Sequence, residues 1–454
     1  MIPKKISNFL NCPYNQVPFW HRCIMRLPIQ AFIYFLLIPV PLSVITLAYL
    51  LTVDKWSVMH SLLFVWSTCE IAFFLSWKKQ MQVPFIRKPF AGDLTTRVTL
   101  AQRFLAHAGN IQEAFAGWMH ERPDEPLHIE YFKPLINFFF FDKKEEEMTL
   151  KEKVEAEEVY KLFNEKIPSN PDPSQPLKSF SFIDQTADDM PYHPKPLMLY
   201  LTVKALQTLT SSILYTLGFR RYVTRGLAYW FLPGNSPKPP VMYIHGLGMG
   251  YFVYLPTLHA LLSSNPGRGV ILVDLPHVGM APVDVILNHD QTIKAVDAMF
   301  TRHRLEKVSL VGHSYGSLVA SWLIQKRPQY LGHVHLVDPV CFMMWKHNLL
   351  YSFLFEEPKC IFHEFMRFAL SKDPNISHTL SKEVYFYESM LFPEDITIPT
   401  TVFLADDEWI IDAVETKEYL EKRLPSHSNL VMMDTFHAGV VFQSDYYLEL
   451  VSHI

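Results

Sequence analysis

The chain has 454 residues, with 41 Lys and Arg set against 45 Asp and Glu and a formal net charge of -4. So even a balance, without a polybasic tract, argues against nucleic acid as a partner. Aromatic residues make up 14% of the chain, which is high for a water-soluble enzyme and predicts lipid contact, while five scattered Cys without a CxxC pair read as reduced thiols and exclude a disulfide framework.

Two apolar runs come first. Leu27–Val53 holds 27 residues without a charge, and Ser57–Trp77 holds 21 broken only by Glu70. At about 1.5 Å of rise per residue, either run covers the roughly 30 Å hydrocarbon core of a bilayer. Pro39 and Pro41 should kink the first run or fold it into a re-entrant hairpin. Between the runs, Asp54, Lys55 and Trp56 leave room only for a tight turn. Lys4, Lys5, Arg22 and Arg26 precede the pair, and Lys78, Lys79, Arg87 and Lys88 follow it. The positive-inside rule then puts both flanks, and everything after residue 78, in the cytosol. Residues 1–80 are therefore expected to form a membrane hairpin, at the endoplasmic reticulum or a lipid droplet. Buried helices of a soluble domain are the weaker alternative, because such helices seldom stay uncharged for so long. Glu70 should lie near a helix end or against the neighbouring helix.

Residues 81–190 read as a helical, charged region and a linker. The charge-dense stretch 142–166, with Leu150, Val154 and Leu162 at helical spacing, predicts a solvated helix. Four prolines within residues 168–176 mark a domain boundary. Leu197–Phe219 is a third apolar stretch, interrupted by Lys204 and Gln207, and fits an interfacial or core amphipathic helix better than a third span.

After Arg225 the pattern changes. Short apolar runs (LAYWFL, VMYI, VILVD, KVSLVG, HVHLVD, TTVFLA, NLVMMD) alternate with helical stretches, as in a parallel sheet covered on both faces. The expected fold class is α/β: a doubly wound, mostly parallel sheet within residues 191–454, with an apolar cap at about 341–399, placed behind a helical membrane region.

Gly312-His313-Ser314-Tyr315-Gly316 follows the strand KVSLV and opens the helical run SLVASWLIQKR. Strand, sharp turn and helix make Ser314 the expected nucleophile. A serine hydroxyl needs a base, and His437, after the last strand, is the candidate. The base in turn needs a carboxylate from the turn after TTVFLA, where Asp406, Asp407 and Glu408 stand together. Spacing without a gap selects Glu408 and a one-residue slip selects Asp407, so both remain candidates, with Asp406 behind. Asp338, in HLVDPV, is an outside alternative expected to cap the turn before Pro339. The backbone N–H groups of Leu247, in His245-Gly246-Leu247-Gly248, and of Tyr315 are the expected oxyanion donors.

The HGxG turn, the GHSxG elbow and the order Ser, acid, His resemble the α/β-hydrolase superfamily over residues 225–454. HVHLVDPVCFMMW also resembles a stretch of uncharacterised membrane-associated eukaryotic hydrolases. The sequence departs from the pattern in having His277 where a glycine is usual and Ser317 where a second glycine is frequent. The resemblance implies a serine hydrolase acting on a lipophilic ester, with no metal or cofactor. An acyltransferase or thioesterase on the same serine, and a silent fold serving as an interaction module at a membrane, are the alternatives.

Overall fold

A computed structural model describes residues 13–16, 19–81, 93–119, 128–167, 182–183, 192–193, 195–281 and 286–454. The proline-rich stretch 168–176 and the flanking Lys4, Lys5, Arg87 and Lys88 lie outside the described residues.

Three apolar helices lead: α1 (Phe19–Leu37), α2 (Pro39–Leu50) and α3 (Val58–Met81). Proline lacks an N–H and its ring crowds the preceding turn, so the first run breaks at Pro39, with a bend of 43° between α1 and α2. Much of this surface points outward: Tyr34 is 70% exposed, Val58 79% and Leu51 89%.

Four helices follow: α4 (Leu94–His107), α5 (Ile111–Ala116), α6 (Ile129–Phe141) and α7 (Leu150–Asn164). They close on a core of Phe104, Phe115, Phe132, Phe140 and Phe163, all buried. In α7 the stripe Leu150–Val154 is not the packed face, since these two are exposed. The helix instead buries Ala156, Val159, Tyr160 and Phe163, spaced i, i+3, i+4, i+7. Glu155 goes in with them, ion-paired to Arg97, whose Nε donates to the Phe140 carbonyl at 3.1 Å. The dense charge of 142–166 thus conceals a packed face.

Helix α8 (Leu197–Thr216) runs from Pro196 into the sheet. Its first N–H, on Leu197, donates at 2.6 Å to Glu70, a fully buried carboxylate in mid-α3, where the helix dipole favours negative charge. Phe73 and Trp77 of α3 pack on Tyr200 of α8. By length and composition α3 and α8 could each cross a membrane, as could the bent α1–α2 pair taken as one span.

The sheet has eight strands: β1 (Arg220–Thr224), β2 (Leu227–Leu232), β3 (Val241–Ile244), β4 (Val270–Asp274), β5 (Val308–His313), β6 (Leu331–Val337), β7 (Thr400–Asp407) and β8 (Asn429–Phe436). Their spatial order is β1-β2-β4-β3-β5-β6-β7-β8. The first two join the sheet antiparallel and the remainder is parallel. Every residue of β3 and β5 is buried, so each Val, Leu or Ile there contributes about 1.5–3 kcal/mol. β1 was not expected from the sequence; it is the edge strand, RRYVT, largely exposed and too basic to read as a buried run. Between β6 and β7 the chain forms a cap of short helices.

Candidate active site

The loops at the C-terminal ends of β5, β7 and β8 meet at one point. Ser314 follows β5 at φ 50°, a left-handed conformation that a non-glycine residue adopts at a cost of about 1–3 kcal/mol. The flanking glycines permit it. A Cβ on Gly316 would lie 2.3 Å from the Ile244 carbonyl oxygen, and one on Gly312 would lie 2.9 Å from the Gly316 oxygen. The Ser314 N–H donates to Val337 O at 2.9 Å, fixing the elbow against β6. Helix α9 (Gly316–Lys326) starts immediately behind it.

Ser314 Oγ lies 3.0 Å from His437 Nε2. His437 Nδ1 lies 2.5 Å from Glu408 Oε2. The other Glu408 oxygen accepts the N–H groups of Trp409 and Ile410, both at 2.8 Å, so the carboxylate is held in place by its own turn. Burial of the His437 ring works against its charged form, but the Glu408 carboxylate, reinforced by Asp338, outweighs it and raises the pKa above the ordinary histidine value. Asp407 is not on the histidine. It ends β7 with an exposed side chain, while Asp406 Oδ1 accepts the Thr435 N–H at 3.0 Å. The register shift between Ala405 and Asp407 marks the irregularity that left two acids open to sequence reading.

Asp338 does more than cap its local turn. Wholly buried, it accepts the N–H of Ala405 at 2.9 Å on one oxygen and that of Ala438 at 3.0 Å on the other. Burial, with the Glu408 charge, pushes its pKa up to about 6 against the opposing pull of His437 and the two amides. Asp338, Glu408 and His437 together resemble a metal-ligand set. However, both His437 nitrogens already face Ser314 and Glu408, which leaves that set no free imidazole donor.

Gly246 packs against the elbow, where a Cβ would stand 3.0 Å from the Ser314 Cβ. Among the described residues, the N–H groups of Leu247 and Tyr315 have no other hydrogen-bond acceptor. His245 is a scaffold residue: Nδ1 bonds the Gly246 carbonyl at 2.7 Å and Nε2 accepts the Leu275 N–H at 3.0 Å. His277 lies against the Tyr315 ring, and burial lowers its pKa to about 3, so it is neutral. Ser317 is also explained: its buried Oγ accepts the Val340 N–H at 2.9 Å, tying α9 to the start of the cap, a bond glycine could not make.

Ser314, Leu247 and Tyr315 open on a narrow cavity of about 30 Å³ whose other walls are apolar, five of them from the cap (Met344, Leu349, Phe353, Leu380, Val384). Nothing in the sequence pointed to Tyr254 in this region, or to a bond from it to His313 of the elbow. Tyr254 OH accepts the Gly246 N–H at 2.8 Å and bonds His313 Nδ1 at 2.6 Å. No spacing signalled that pair.

A family model described as alpha/beta hydrolase fold matches residues 239–360. A Saccharomyces cerevisiae protein named "Probable alcohol acetyltransferase" is 32% identical over 98 residues, covering 21% of this chain and 28% of that protein. The sn-1-specific diacylglycerol lipase ABHD11 of Mus musculus is 27% identical over 112 residues, covering 25% and 36%. The chain thus spans about a third of the length of these curated relatives. Similar solved structures include a bacterial membrane phospholipase A, at 17% identity and TM-score 0.38, with 57% of this chain and 97% of that one covered. Naproxen esterase from Bacillus subtilis is similar at 15% identity and TM-score 0.38, with 52% and 90% covered. The matched segment, the strand order and the elbow together give this part of the chain the α/β-hydrolase fold.

Proposed function

We propose that the protein is a membrane-anchored serine hydrolase that cleaves a lipophilic carboxylic ester through an acyl-enzyme. The observation that carries this reading is the chain Ser314–His437–Glu408 opening on an apolar cavity. Ser314 Oγ attacks the ester carbonyl as His437 Nε2 takes its proton, and Glu408 holds the imidazolium by Nδ1–H. The oxyanion forms against the N–H groups of Leu247 and Tyr315. His437 returns the proton to the departing alcohol, and water repeats the sequence to release the acid. The apolar walls favour the acyl chain, in keeping with the lipase among the relatives. The outward-facing helices α1–α3 supply the anchor, with the catalytic domain on the cytosolic side. Because the likeness to the acetyltransferase is also local, transfer of the acyl group to an alcohol is the second reading.

A fluorophosphonate probe tests the centre. Full-length protein in detergent should label and hydrolyse a p-nitrophenyl ester, and Ser314→Ala should lose both, by about 10⁶-fold in turnover as for other triads. Equal labelling of the variant overturns the reading. Adding a long-chain alcohol separates the two chemistries, since a new ester appears only if transfer competes with water.

A further inference from the structure

Asp338 is a buried carboxylate that the chain from Ser314 to Glu408 does not use. It stands at the end of β6 with φ 43°, a strained position for a residue with a side chain. Its own N–H donates to Phe403 O at 2.9 Å. Its two oxygens take the N–H groups of Ala405, in the strand that delivers the acid, and Ala438, next to the base. One oxygen from each of Asp338 and Glu408 and a ring nitrogen of His437 lie within 4.8 Å of one another.

The other titratable groups around this point cannot neutralise Asp338. His313 Nε2 is 4.0 Å from Asp338 Oδ2. The Tyr254 hydroxyl accepts the Gly246 N–H at 2.8 Å and shares a 2.6 Å hydrogen bond with His313 Nδ1. Burial, with His437 and His245 nearby, keeps the His313 pKa well below the ordinary value, so the ring stays neutral. Burial likewise keeps the Tyr243 and Tyr254 hydroxyls protonated. Glu408 adds a like charge. A buried carboxylate in such company needs a cation or a proton, and the cation it meets is His437 when that ring has taken the serine proton.

We propose that Asp338 is a positioning residue with a second duty: it holds the acid and base loops in register and shares with Glu408 the stabilisation of the His437 imidazolium. This rests on the serine-hydrolase reading above. A plain structural tie would need only two acceptor oxygens, so the charge is the part to test.

The measurement is kcat/KM against pH for a p-nitrophenyl ester, on full-length protein in detergent, with Asp338→Asn, Glu408→Gln and the double variant. Removing a nearby negative charge makes the imidazolium less stable, so in Asp338→Asn the acid limb should move to lower pH by about one unit. Glu408→Gln should keep turnover about 10²-fold below the parent, short of the roughly 10⁴-fold loss when a triad has a single carboxylate. The double variant should fall at least about tenfold further. Thermal unfolding of each variant reports folding. If Asp338→Asn does not fold, the size of the Glu408→Gln loss decides, and a 10⁴-fold loss overturns the proposal. An unmoved acid limb in folded Asp338→Asn overturns it too. Ser314→Ala separates the failures: an active Ser314→Ala protein sinks the hydrolase reading, whereas an inactive one beside an unmoved limb sinks only the role of Asp338.

Discussion

The strands of the sheet and the N-terminal helices draw on the same side chains and use them in opposite ways. Val241, Val308 and Val311 of the sheet have no exposure, while Tyr34, Leu51 and Val58 of the leading helices are mostly exposed. In the sheet, burial itself supplies stability, and the central strands β3 and β5 are covered on both faces. Among the described residues, much of the apolar surface of α1–α3 is exposed, and a large exposed apolar surface marks a protein or membrane interaction site. Apolar composition alone therefore does not distinguish a packed strand from an outward-facing helix; exposure does.

Four substitutions press on this contrast. Val311→Asp buries a carboxylate in the middle of β5 without a partner, which should cost more than about 4 kcal/mol and abolish folded protein, read by yield and thermal unfolding. Val65→Arg, at a site 58% exposed on α3, should leave the detergent-solubilised fold intact. In a bilayer it should cost about 2.5–3.5 kcal/mol of insertion and release protein into alkaline carbonate. A variant retained like the parent would break the assignment of α3 as a span. Glu70→Ala removes the acceptor that ties α3 to α8 and should lower stability by about 1–3 kcal/mol, seen as a lower melting temperature in detergent. Leu150→Ser, on the exposed side of α7, should change stability by less than about 0.5 kcal/mol. A larger loss would mean that this face is covered in the working protein.

What the sequence made legible follows from the reach of each signal. The elbow could be read because strand, turn and helix are contiguous and the glycines answer to backbone contacts within a few residues. The place of His437 beside Ser314 could be read from chain order. The choice between Asp407 and Glu408 could not, because a one-residue irregularity in the β7–β8 register decides which side chain faces His437. The ties made by Asp338 to Ala405 and Ala438 join residues 67 and 100 positions apart, and no local pattern encodes them. The helical layer was misread for a different reason. Charged residues crowd α7, but four apolar positions on one face suffice to pack it, and a buried ion pair disguised that face further.

The bond between Glu70 and the first N–H of α8 spans 127 residues of chain. At synthesis rates of about 5–20 residues per second, the carboxylate waits roughly 6–25 s for its partner to be made. During that interval α3 is complete, apolar and carries an unanswered acid at mid-length. Whatever receives the nascent helices must therefore accommodate that acid until the later helix arrives. Assembly of this molecule is thus ordered in time, with α3 made early and the bond of its acid to α8 formed only when the chain reaches the threshold of the sheet.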